Sequence, residues 1–122
     1  MNNNLQEKSK TFGVAIAKYY ISLKDKRYYE IASQLFRSGT SIGANIAEAW
    51  AGCSKKDFIN KLYIALKEGE ETLYRLDILE EWFGEDIHEL RDHCKELVKI
   101  LVTIIKNSKN NGTNDKNIFV IA

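Results

Sequence analysis

Apolar residues recur three or four positions apart through most of this chain, the repeat of a helix that buries one face. Leu5, Phe12, Ile16, Tyr19 and Leu23 share one side of a first helix predicted over residues 5–23. The short polar connector Asp25-Lys26-Arg27 leads to a second helix, over about 26–51, with Ile31, Leu35, Ile42, Ile46 and Ala49 on its inner face. Gly52 is placed to end it in the left-handed conformation that glycine adopts without strain. Ser54 then reads as an N-cap whose hydroxyl accepts from an amide three residues on, where Asp57 suits the positive end of the helix. The third helix, over 54–83, carries Phe58, Leu62, Ala65, Leu66, Gly69, Leu73 and Leu76, and Gly84 closes it. Glu85 and Asp86 open a fourth, over 85–106, with Ile87, Leu90, Cys94, Leu97, Val98, Leu101, Ile104 and Ile105. Four long amphipathic helices on short connections predict an all-α fold, an antiparallel up-down-up-down four-helix bundle over residues 1–106.

Composition supports long helices. Proline is absent from the 122 residues and glycine occurs only 7 times. With 44% hydrophobic and 29% charged residues the chain can bury one core. A formal net charge of +1 argues against a domain-wide pull toward nucleic acid or an anionic membrane. Cys53 and Cys94 stand far apart in no ligand-like spacing, so two free thiols in a reducing compartment are expected. No secretory leader is read at the N-terminus, and no stretch approaches the ~20 apolar residues of a membrane span. A cytoplasmic location is therefore expected. Residues 107–122 form an Asn-rich linker and an apolar end, Ile118-Phe119-Val120-Ile121, expected to pack on its own bundle or on a neighbour.

One segment departs from an ordinary bundle helix. Gly39, Gly43, Ala47 and Ala51 repeat every four residues and leave one face of the second helix nearly bare. Each mid-helix glycine costs roughly 1 kcal/mol against alanine, so a close helix–helix approach is expected to offset it. Beside this stripe, Ser38, Ser41, Asn45 and Glu48 follow a heptad-like spacing. They read either as a solvated face or as a polar ladder that fixes register and partner. A further alternative has Gly39 break the helix, with Thr40 or Ser41 capping a new one. On the third helix Glu68, Glu71 and Arg75 line one side, where Arg37 or Asn45 would meet the acids, or where all stay exposed.

The run from Gln34 to Ala49, Gln-Leu-Phe-Arg-Ser-Gly-Thr-Ser-Ile-Gly-Ala-Asn-Ile-Ala-Glu-Ala, resembles the signature of the bacterial 23S ribosomal RNA intervening-sequence proteins. So does the run from Ser54 to Glu68, and the resemblance extends from about Lys10 to Lys106. It implies an antiparallel four-helix bundle assembled as a homopentamer, with no catalytic residue. Distant relatives, the accessory proteins of diversity-generating retroelements, are pentameric barrels that bind nucleic acid and a reverse transcriptase. The family name describes a gene location, so ribosomal RNA does not follow as the ligand.

No arrangement for chemistry emerges from the residues. Glu85-x-x-His88 has the spacing of a di-iron half-site, but His93 has Leu90 where a second glutamate is needed. Gly39 and Gly43 make no phosphate loop, and Cys94 falls on the apolar stripe beside His93. No catalytic, cofactor-binding or metal-ligating residue is assigned, and no small-molecule substrate is inferred. The leading expectation is a non-catalytic homo-oligomeric scaffold or adaptor. Its contacts would come from Gly39, Gly43, Ala47, Ser38, Ser41, Asn45 and Glu48, with Arg37, Glu68, Glu71 and Arg75 as polar counterparts. The alternative is an RNA-binding accessory protein that uses Arg37, Lys55, Lys56, Lys61 and Lys67, repeated around an oligomer.

Overall fold

The computed structural model of the chain describes residues 4–52 and 54–110. Four helices run through them: α1 (Asn4–Asp25), α2 (Tyr29–Ala51), α3 (Lys55–Glu81) and α4 (His88–Asn110). Each packs on its neighbours in the chain, α4 returns to α1, and the diagonal pairs stay apart. Cross-helix contacts run in opposite senses along the chain, Arg37 with Glu71 and Glu48 with Lys61, Lys8 with Glu96 and Tyr19 with Glu85. The fold is the antiparallel four-helix bundle that the periodicity predicts. Cys53 and the apolar end at 118–121 lie outside the described residues.

The predicted apolar stripes converge on one core. Phe12, Ile16, Leu35, Ile42, Leu62, Leu76, Leu97 and Leu101 are among its fully enclosed side chains. Six members of the predicted stripes are less deeply set, Leu66, Leu73, Leu90 and Val98 among them. Ile31 is only half-buried, and so is Tyr19, whose hydroxyl donates to Glu85 Oε1 at 2.8 Å.

Local chemistry moves several helix ends. α2 starts at Tyr29, three residues later than predicted, because Arg27 takes a positive φ of 69° and closes α1. The amides of Arg27 and Tyr28 return to the carbonyls of Lys24 and Leu23, at 2.9 and 3.0 Å, as in a Schellman cap. Gly52 ends α2 in extended backbone, φ −70° and ψ 160°, rather than in the left-handed conformation expected of it. Ser54 caps α3 as predicted, accepting from the Asp57 amide at 3.1 Å. Gly84 supplies the left-handed turn after α3, at φ 69°. α4 begins at His88 rather than at residue 85, and continues to Asn110. Glu85 is instead held back by Tyr19 and by Lys26, whose ammonium donates to it at 2.5 Å. Asp86 accepts from the His88 amide at 3.3 Å and so opens the helix. α2 runs unbroken through Gly39, so the alternative of a helix break there is wrong.

Candidate functional site

The two stripes of α2 part company in the fold and face different neighbours. The glycine stripe lies against α1. A Cβ added at Gly39 would sit 2.9 Å from Cγ1 and 3.0 Å from Cγ2 of Ile16, and one at Gly43 would sit 3.3 Å from Oγ and 3.4 Å from the carbonyl oxygen of Ser9. Glycine at these two positions therefore lets the α1 and α2 backbones approach, within one chain. The groove of small residues does receive a helix, and that helix is the chain's own α1. Ser9, which the apolar reading passed over, is buried at this contact and donates to the Gln6 carbonyl at 3.0 Å.

The polar stripe points toward α3 and divides by depth. Ser38 is fully buried and its Oγ lies 2.9 Å from Thr72 Oγ1 of α3. One hydroxyl proton joins the two oxygens, and the other reaches a carbonyl, that of Glu68 at 2.8 Å or of Leu35 at 3.4 Å. Ser41 donates to the Arg37 carbonyl at 2.6 Å, and Asn45 donates to the Ser41 carbonyl at 2.8 Å. These two satisfy themselves along the α2 backbone rather than across an interface. Glu48 is exposed and meets Lys61 of α3 at 2.7 Å.

The predicted counterparts do come together. Arg37 bridges to Glu68 at 3.7 Å and to Glu71 at 3.6 Å, and Arg75 meets Glu71 at 3.3 Å. Asn45 takes no part. Arg37 and Lys61, both predicted to contact nucleic acid, are thus engaged by acids of their own chain. Lys55, Lys56 and Lys67 make no ion pair among the described residues.

Outside the α1–α2 contact the small residues open to solvent. Ala47 is exposed, so the stripe is covered by α1 only along part of its length. Val14 and Ala17 of α1, with Phe36, Thr40, Ala44 and Ala47 of α2, line a groove of about 500 Å³ whose walls are mainly apolar. Val14 is 49% exposed and Phe36 36%. Ile21, seven residues after Val14 and so on the same side of α1, is 56% exposed. The apolar surface therefore continues past the groove.

Elsewhere the titratable groups form structural contacts. Partial burial pulls the Glu85 carboxyl upward, but the hydrogen bonds from Lys26 and Tyr19 outweigh it and hold its pKa below the ordinary value. Burial, followed by the Glu85 contact, raises the Tyr19 phenol. Burial pushes the Cys94 thiol up to about 12, with Glu70 adding to the effect, and its Sγ lies 3.5 Å from the Gly69 carbonyl. A thiol in that state is a packing group. Among the described residues no group of three or more His, Cys, Asp or Glu side chains is placed to hold a metal ion. His88 meets Asp92 at 3.4 Å on the open surface. No helix among those residues is long and apolar enough to cross a membrane.

What the fold and this surface define is an all-α antiparallel four-helix bundle whose distinguishing feature is a small-residue helix face. The sequence model of the 23S rRNA-intervening sequence protein family matches residues 1–103, and the chain belongs to that family. A crystal structure from Bacteroides thetaiotaomicron, described as a protein with unknown function from the S23 ribosomal protein family, has the same fold. It superposes with a TM-score of 0.81 at 40% identity, covering 84% of this chain and 98% of that one. None of the curated proteins matches the chain.

Proposed function

We propose that the chain is a non-catalytic, self-associating scaffold whose assembly surface is the outer α1–α2 groove, occupied by a second copy of the chain. The observation that carries this is an apolar groove with half-exposed Val14 and Phe36 at its walls and Ala44 and Ala47 along it. Contiguous apolar surface of this kind marks contact sites, and small residues admit a close-packed helix. The hydroxyls in its lining, those of Ser9 and Thr40, already donate to carbonyls of their own helices, so covering them strands no hydroxyl donor.

The homopentamer implied by the family resemblance is a head-to-tail ring. In such a ring the groove of one copy receives a different surface of the next. Sedimentation velocity over a micromolar concentration range tests the reading. It anticipates a species near five times the 14.0 kDa subunit mass. A monomer throughout that range would remove it.

A further inference from the structure

Beyond self-association, and independent of it, we infer that the outer α3–α4 face binds single-stranded nucleic acid through its phosphates. The observation is a stripe on α4. Lys95, Lys99, Val102, Lys106 and Lys109 follow one another at four, three, four and three residues, which places them on one side of the helix, and all are exposed. The stripe spans about 21 Å at 1.5 Å per residue. From Leu97 to Asn110 the chain has no Asp or Glu. Lys95, Lys99 and Lys106 make no ion pair among the described residues. This face concentrates positive charge in a chain whose net charge is only +1.

The adjoining side of α3 supplies rings. Lys109 Nζ donates to Tyr63 Oη at 2.8 Å and sits 5.2 Å from the ring centroid, which fixes Tyr63 beside the α4 stripe. Tyr63 is 42% exposed, and Tyr74, three turns on along the same side, is 67% exposed. Lys67 lies between them. Glu70 also lies between them, close enough to act on Cys94, and Asp92, which faces His88, stands at the start of the α4 stripe. Lysines that neutralise phosphates beside open aromatic faces that accept bases are the elements of sequence-tolerant single-strand binding. A lipid surface would need a broad apolar face to bury, and among these lysines the α4 stripe offers only Val102.

The test is fluorescence anisotropy of a labelled oligouridine with the full chain, as a function of salt. Salt-sensitive binding is expected. Lys99→Gln/Lys106→Gln should lower the slope of log affinity against log salt by about 1.4, at about 0.7 per lost phosphate contact on a single strand. Lys18→Gln, an exposed lysine on α1, is the control and should leave the slope unchanged. Tyr63→Leu should weaken binding at least about fivefold through lost stacking. Absence of binding at low salt would overturn the inference. So would equal slopes for the double variant and wild type, or capture by phosphatidylserine vesicles with none by the oligonucleotide. All four lysine and tyrosine positions are exposed, and circular dichroism checks that each variant is folded. The oligomer mass of the same samples reports separately on the groove.

Discussion

Substituting Gly39 by alanine isolates the role of the bare α2 face, because two opposing effects there differ in size. Alanine relieves the backbone penalty of a mid-helix glycine, a gain of about 1 kcal/mol. Its Cβ would also lie 2.9, 3.0 and 3.2 Å from Cγ1, Cγ2 and Cδ1 of Ile16. Ile16 is fully buried, and its two γ carbons branch directly from Cβ, so neither swings aside as the end of a flexible side chain would. Overpacking of this kind costs about 1–3 kcal/mol. The net expectation for Gly39→Ala is destabilisation of up to about 2 kcal/mol, the range left when the propensity gain is subtracted. Gly13 is the internal control at concentrations where the chain is a monomer, since it is also mid-helix and a Cβ there, on the outer groove, meets nothing of its own chain within 4 Å. Gly13→Ala should therefore stabilise by about 1 kcal/mol. Urea unfolding followed by circular dichroism, at one fixed protomer concentration, reads both. The midpoints should part by roughly 1 M, taking a urea m-value of about 2 kcal/mol/M. Ile16→Ala should cost less in the Gly39→Ala background than in wild type, since it removes the clashing atoms. If Gly39→Ala stabilised as much as Gly13→Ala, close α1–α2 approach would not be the reason for glycine at that position.

Three further outcomes follow from the buried and half-buried polar groups. Ser38→Ala should cost about 1 kcal/mol, and Ser38→Ala/Thr72→Val less than the sum of its parts, because neither hydroxyl is then left facing an apolar partner; additive costs in urea melts would contradict the pairing. Glu85 has a folded pKa below its unfolded one, so its contribution is present above about pH 4.3 and is lost as pH falls through the folded value. The stability gap between wild type and Glu85→Gln should accordingly be open at pH 7 and close in strong acid, and a gap that widened on acidification would reverse the sign of this contact. In a Cys53→Ser background, Cys94 should resist a thiol reagent at pH 8 until denaturant is added, given its complete burial and raised pKa; rapid labelling of the native protein would show that it opens readily.

Much of the fold was legible because helical period and core position coincide. Ser54 and Gly84 act as the sequence indicates, the one through its hydroxyl and the other through a left-handed backbone. The errors arise where a tertiary partner overrides a local preference. Glu85 looks like a helix opener, yet Lys26 and Tyr19, distant in sequence, draw its carboxylate out of that role. Arg27 gave no signal as a helix stop, because left-handed backbone is uncommon for a side chain of its size.

Within the candidate site, Gly39 and Gly43 were recognisable by their spacing, but no spacing says whether the covering helix belongs to the same chain. Ser9 and Thr72 were missed although each fills a gap in an apolar stripe, Ser9 between Leu5 and Phe12, Thr72 between Gly69 and Leu76. A polar residue at a core register position was the available signal. Splitting the glycine and hydroxyl stripes between α1 and α3 also changes the meaning of Gly43→Leu. With Gly43 set against Ser9 of the same chain, the substitution should disturb the α1–α2 packing of the bundle itself rather than a contact between copies.

Ala44 separates assembly from folding better than either glycine, because it is exposed and lines the groove. Light scattering on Ala44→Glu and wild type at equal micromolar concentration, with helicity checked on both, measures the central claim directly. An oligomeric wild type and a folded Ala44→Glu near the 14.0 kDa subunit mass are predicted. A folded Ala44→Glu with the same oligomeric mass as wild type would show that copies of the chain meet through some other face.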